Sequence, residues 1–233
     1  MAQSLCVLGA GGNLLDVLDT LDAINADRMM WNLRGVFDDR LRPGTLHHGL
    51  AVLGPLCSAR ERHNGAFVSS IWNEKTFVDL PSILAGCGIE EERFATLIHP
   101  AAGVSRRARV GYDVLIHFGA SVAGQVLVGN HVSIGPRAVI GHDTRLRGYD
   151  CVAAGATLSG AVDVGECCYI GSASSVRQQL KIGTGCLVGM GAVVVDDVPP
   201  HTTVVGNPAR PLERPFAHSR NAHHAAVACT THR

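Results

Sequence analysis

Aliphatic residues recur at every sixth position from Ile98 to Val194 without a miss. The series is Ile98, Val104, Val110, Ile116, Val122, Val128, Ile134, Ile140, Leu146, Val152, Leu158, Val164, Ile170, Val176, Ile182, Val188 and Val194. Hydrophobic residues make up 46% of the chain. At that frequency chance gives such a run roughly once in 10⁵ trials, with all six phases allowed. A period of six belongs neither to an α-helix, which repeats at 3.6, nor to an ordinary strand, which repeats at 2. It suits a coil with flat faces, each a short strand with its aliphatic side chain inward. Small residues would then make the corners. Gly111, Gly129, Gly135, Gly141, Gly165, Gly171, Gly183 and Gly189 each follow an aliphatic, and Ala108, Ala120, Ala138, Ala156, Ser174 and Ala192 lie four residues after one. Stacked coils of this kind form a solenoid.

The residues before the repeat have another rhythm. Ser4–Leu8 reads as a buried strand, Gly9–Gly12 as a turn, and Asn13–Ile24 as a helix with Leu14, Val17, Leu18 and Leu21 on one face. Leu33–Phe37, Leu50–Leu53 and Ala66–Ser69 read as further strands. Strands alternating with helices predict a small parallel sheet with a ligand crevice at its strand ends. A dinucleotide fingerprint is incomplete, because Leu14 stands where the third glycine belongs. The helix start can still receive an anion on its free amides.

Lys+Arg and Asp+Glu are 20 each, so the formal net charge is zero. Such a chain has no general electrostatic pull on nucleic acid or anionic membrane. Asp16, Asp19, Asp22, Arg93 and Asp113 interrupt every apolar run that could span a bilayer. The 8 cysteines include no Cys-x-x-Cys pair, and the N-terminus shows no basic leader. Together these predict reduced thiols and a cytoplasmic protein.

The repeat pattern, with Gly141-His142-Asp143, with Gly9-Ala10-Gly11-Gly12 and Asp38-Asp39 upstream and with Val205–Arg210 closing it, resembles the hexapeptide-repeat acyltransferases. Within them it is most similar to the sialic-acid O-acetyltransferase and nucleotide-amino-sugar N-acetyltransferase group. The resemblance implies an α/β Rossmann-like domain over residues 1–93, binding the acceptor. A left-handed parallel β-helix over 94–214 would follow, with three hexapeptides per coil and five to six coils. Residues 215–233, with four histidines and little apolar content, read as a mobile tail. The resemblance also implies acetyl-CoA as co-substrate, a small-molecule acceptor such as an amino sugar, and a homotrimer with active sites shared between subunits.

Transfer of an acetyl group needs a base for the attacking amine and a donor for the oxyanion on the thioester carbon. His142 is the candidate base, with Asp143 orienting its ring. Both neighbours of His142 at eighteen residues, Gly124 and Gly160, are glycines. The bare backbone leaves room for a thioester, and the Gly160 amide is the candidate oxyanion donor. By resemblance Cys151, Ser172 and Met190 contact CoA, and Gly11, Gly12, Asn13, Asp38 and Asp39 line the nucleotide part of the acceptor site. Three departures from the family pattern, Asn13, Trp72 and Gly135, point to a changed acceptor. His99 and His117 are eighteen apart but lack the further histidines of a metal triad, so no metal is expected. Cys168 and Cys186 read as buried thiols, and Arg106, Arg107 and Arg109 as a solvated face. Alternatives are O-acetylation of a sugar, a longer acyl donor, a non-sugar acceptor, and a catalytically silent binding scaffold.

Overall fold

The computed structural model describes residues 2–213, and the tail expected over 215–233 lies outside the described residues. The chain opens with strand β1 (Gln3–Leu8), whose last four residues are buried, and then helix α1 (Asn13–Asn25). Strands β2 (Trp31–Phe37), β3 (Leu46–His47), β4 (Leu50–Gly54) and β5 (Ala66–Ser69) follow, with short helix α2 (Ala59–Arg62) before β5 and α3 (Leu80–Cys87) after it. They form one sheet in the order β3-β4-β2-β1-β5. All pairings are parallel except the β3–β4 hairpin. The strand that leads the chain therefore lies inside the sheet. Its neighbours supply the carboxyl-end crevice that the sequence pattern predicts.

From Leu97 onward the chain winds as a triangular coil. One face is an eight-stranded sheet, starting at Leu97–Ile98 and closing with the antiparallel strand Arg210–Pro211. The second has six strands, from Gly103–Val104 to Val193–Val194, and the third five, from Arg109–Val110 to Lys181–Ile182. Up to the last coil each strand pairs in parallel with the one eighteen residues on, as in Ser121 with Val139, Leu127 with Arg145, and Ser133 with Cys151, and the closing pair Leu187 with Thr203 is sixteen apart. This stack of parallel strands fits a left-handed parallel β-helix. Its core holds the six-residue series from Ile116 to Val194, with the columns between them filled by Ala120, Ala138, Ala156 and Ala192. Each fully buried Val, Ile or Leu side chain contributes roughly 1.5–3 kcal/mol.

Two details differ from the sequence expectation. Ile98 is 37% exposed, and Val104 and Val110 are half-buried. They belong to the first coil, which has a neighbouring coil on one side only. The corners, moreover, are not turned by the glycines that follow the aliphatics. The positive-φ residue comes three positions after the aliphatic and is usually not glycine: Asp113, Gln125, His131, Arg137, Asp143, Tyr149, Ala161, Cys167, Ala173 and Gln179. The glycines answer a different need. An ideal Cβ at Gly129 would stand 2.3 Å from the Arg147 carbonyl oxygen, and at Gly141 2.5 Å from the Ser159 carbonyl carbon. Successive coils lie too close there for any side chain.

The N-terminal sheet packs on the eight-stranded face. Leu97, Leu115 and Cys151 point out of the coil and join Leu5, Val36, Phe67 and Trp72 in one apolar cluster. Among the described residues nothing covers the six-stranded face, which is uncharged, with Ser121, Val139, Thr157, Ser175 and Val193 outward. The five-stranded face carries Arg109, Leu127, Arg145, Asp163 and Lys181.

Candidate active site

His142 and Asp143 form the corner between the uncharged and the charged face. Asp143 is the positive-φ residue of that corner (φ 59°), and its amide donates to the Gly124 carbonyl at 3.1 Å. From this fixed position its carboxylate meets His142 Nδ1 at 2.8 Å. Orientation through Nδ1 leaves Nε2 as the free nitrogen, and the imidazole is 72% exposed. One coil away, a Cβ built on Gly160 would lie 2.6 Å from His142 Nε2. The ring thus lies over bare backbone, and any side chain at 160 would displace it. A carboxylate, an imidazole with its outer nitrogen free and an open glycine make a base poised beside unobstructed backbone.

Ser172 and Met190 lie at a different corner, between the uncharged face and the face covered by the N-terminal sheet. They line a hollow of about 200 Å³ with Glu74, Tyr169, Leu187 and Val205. Met190 is 81% exposed. Cys151 does not join them. It is 7% exposed within the apolar cluster under the N-terminal sheet, and burial pushes its thiol up to about 12. In this chain the Cys151 thiol packs in the seam, away from the hollow that Ser172 and Met190 line. It sits on a face where the N-terminal sheet has already taken the space.

Gly11, Asp38 and Asp39 line a small cavity of about 80 Å³ at the carboxyl ends of β1, β2 and β5, joined by Arg40, Ser70, Ile71 and Asn73. Asp38 Oδ2 accepts from the Ala10 amide at 2.9 Å, and Asp39 Oδ1 from the Leu56 amide at 2.8 Å. The first of these bonds holds the glycine turn, and the second holds the residue that follows β4 and Pro55. Nothing lies within 4 Å of a Cβ built on Gly11 or Gly12. Packing within the chain does not demand glycine at these two positions, so they leave the helix start open to a close-approaching ligand. Asn13 is not open in that way, because its side-chain amide donates to the Trp72 carbonyl. Trp72 itself is 1% exposed and belongs to the core.

Sequence reasoning missed a buried polar cluster between the two units. Ser69, at the end of β5, donates its amide to Asp113 Oδ1 at 2.8 Å and its hydroxyl to Asp113 Oδ2. His131 Nδ1 meets the same Oδ2 at 2.8 Å. The hydroxyl bonds the carboxylate and not the imidazole, so the trio cannot activate Ser69 as a nucleophile. The available signal was that Asp113, His131 and Tyr149 are eighteen apart and share one corner column. His117 and His99 are separate: His117 Nδ1 stands 3.4 Å from Thr20 Oγ1 of α1, and His99 lies edge-on to Phe118. Among the described residues no group of three or more His, Cys, Asp or Glu could hold a metal ion. Cys168 and Cys186 are buried in the coil and face carbonyl oxygens of Gly183 and Pro199.

No family model matches the chain. Individual proteins do. The UDP-3-O-acylglucosamine N-acyltransferase of Caulobacter sp. (strain K31) is 35% identical over 146 residues, which is 58% of this chain and 42% of that protein. The solved acetyltransferase domain of PglB from Neisseria gonorrhoeae FA1090 is 29% identical with a TM-score of 0.77, covering 90% of this chain and 100% of that one. A mutant of perosamine N-acetyltransferase from Caulobacter crescentus, solved with CoA and GDP-perosamine, is 25% identical with a TM-score of 0.78, covering 91% and 97%. In sequence and in fold the chain is similar to the hexapeptide-repeat acyltransferases. It spans less than half the length of the first curated relatives it matches. The likeness to the solved acetyltransferases, by contrast, runs through both the N-terminal sheet and the coil. The PglB domain has also been solved in complex with acetyl coenzyme A.

Proposed function

We propose that this hexapeptide-repeat acyltransferase moves an acetyl group from acetyl-CoA to the amine of a nucleotide-linked amino sugar. The observation that carries the reading is the imidazole of His142, held by Asp143 over the bare Gly160 backbone. The amine attacks the thioester carbon as His142 Nε2 takes its proton. The Gly160 amide stabilises the oxyanion of the tetrahedral intermediate. Collapse forms the amide bond, breaks the carbon–sulfur bond, and returns the proton from His142 to the departing CoA sulfur. A base in this role contributes roughly 10²–10⁴-fold.

The N-terminal sheet is read as a Rossmann-like acceptor domain over residues 1–93, serving a coil over 94–214. The open Gly11-Gly12 turn beside Asp38 and Asp39 supports the nucleotide end of the acceptor. The likeness to an enzyme solved with GDP-perosamine supports the sugar end. The hollow lined by Ser172 and Met190 is the proposed berth of the pantetheine arm. It lies at a different corner from His142, with the uncharged six-stranded face between them. Three copies packed by that face would set the His142 corner of one subunit beside the Met190 corner of the next. Exposed Phe118, Val139 and Met190 along that face and its edge support such a homotrimer. We assign the enzyme to the cytoplasm, where CoA thioesters and nucleotide sugars meet and thiols stay reduced.

The test is a turnover screen of acetyl-CoA against nucleotide amino sugars, free amino sugars and hydroxyl-only sugars, with His142→Ala alongside. Acetylation of a nucleotide amino sugar that falls roughly 10²–10⁴-fold in the variant is the expected result. Turnover indifferent to His142 overturns the mechanism.

A further inference from the structure

We infer that Asp113 and His131 are positioning residues which register the acceptor-binding loop on the coil, so that His131 governs acceptor use without touching the acceptor. The inference rests on the acetyltransferase reading for its kinetic consequence and on geometry alone for its structural one. Most of the seam between the N-terminal sheet and the coil is apolar, and apolar contact has no direction. His131 supplies direction twice. Through Nδ1 it holds the Asp113 carboxylate, which binds both the amide and the hydroxyl of Ser69. Through its carbonyl it accepts the Trp72 indole N–H at 3.1 Å. The segment 69–72 is thus pinned at one end to Asp113 and at the other to His131, which are themselves joined.

The two residues between those pins, Ser70 and Ile71, are walls of the acceptor cavity. Ser70 Oγ also donates to the Gly9 carbonyl at 2.7 Å, which carries the constraint into the glycine turn. The imidazole has no freedom of its own. It stacks on Tyr149 at 4.8 Å between ring centroids and meets Phe94 and Tyr112 edge-on at 5.0 and 5.1 Å. Asp113 is fully buried and His131 nearly so, so solvent cannot replace either bond.

The experiment compares His131→Ala with His131→Asn, whose amide nitrogen can take the place of Nδ1. In the alanine variant kcat/KM for the acceptor should fall about 10- to 100-fold, as expected when a substrate is misplaced by about an ångström. The KM for acetyl-CoA should hold, and the asparagine variant should recover most of the loss. Hydrogen exchange should accelerate over residues 69–76 in His131→Ala while the coil strands from 151 to 194 stay protected. Unchanged exchange over 69–76 overturns the inference. So do equal losses toward donor and acceptor that track a lower Tm and are not rescued by asparagine. If the wild-type chain acetylates no amino sugar, the proposed function fails, and the exchange measurement still decides the inference.

Discussion

His142 and Gly160 illustrate how a residue's meaning depends on its neighbour one coil away. The imidazole is free to act because position 160 carries no side chain. Gly160→Ala adds one carbon, which would start 2.6 Å from Nε2. The ring must then rotate off Asp143, and kcat should drop roughly 10- to 100-fold with little change in folding stability. Paired kinetics and thermal melts check this. A Gly160→Ala enzyme at wild-type kcat would mean the ring does not act from this position. Cys151 gives the opposite case. A thiol near a thioester enzyme invites a covalent step, yet burial pushes this one up to about 12, so the thiolate is scarce at neutral pH. Cys151→Ser should therefore keep turnover, and intact mass after incubation with acetyl-CoA alone should show no acetyl adduct on this residue.

At the scale of elements, α1 and the coil meet at His117. Burial lowers the pKa of this imidazole from its ordinary 6.5, with the nearby Asp16 carboxylate opposing and His99 adding to the shift. The folded chain therefore resists a proton that the unfolded chain accepts below about 6.5. In that window the unfolded state binds more protons, so stability rises with pH and is lost on acidification. The effect is absent above the unfolded value and complete once pH falls below the folded one. His63 is shifted in the same direction by its own burial. Denaturant unfolding measured between about pH 7.5 and 5.5 should show falling stability, and His117→Gln should lose less across the same interval. An identical slope in the variant would remove His117 as a contributor. The apolar stack inside the coil carries no such dependence, so the seam should loosen before the coil does.

At the scale of the whole molecule, the three faces have three fates. One is covered by the N-terminal sheet, one is charged and solvated, with Arg147 and Asp163 bridged at 2.8 and 3.0 Å, and one is bare. Val139 stands in the middle of the bare face at 41% exposure. In the proposed trimer, Val139→Asp would place a charge in each copy of the three-fold contact, where like charges meet without solvent. Light scattering should show a trimer for the wild type and a smaller species for the variant. Acetyl transfer should fall with assembly while the circular dichroism of the coil persists. A wild-type monomer at micromolar concentration would remove the shared-site arrangement.

The coil was legible in the sequence because its order is local and repetitive. One aliphatic every six residues determined the strands and their inward faces, and the resemblance to the hexapeptide-repeat acyltransferases added the eighteen-residue stacking that put Gly160 beside His142 before any coordinates. Strand β5 was legible to the residue, since a buried run bounded by turns has little choice. The corners were misread because glycine serves two needs that a sequence does not separate. Here close approach between coils was the need, and backbone handedness fell to residues such as Asp113, Asp143 and Tyr149. Of the seam, the sequence offered only the column of Asp113, His131 and Tyr149 at eighteen-residue spacing. Ser69, Trp72, Asp113 and His131 are up to 62 positions apart, and no local rule brings a sheet edge onto a coil corner. Only tertiary packing decided that Cys151 would be covered, that Asn13 would bind the Trp72 carbonyl, and that His131 would meet Asp113 and Trp72 where the N-terminal sheet sits on the coil.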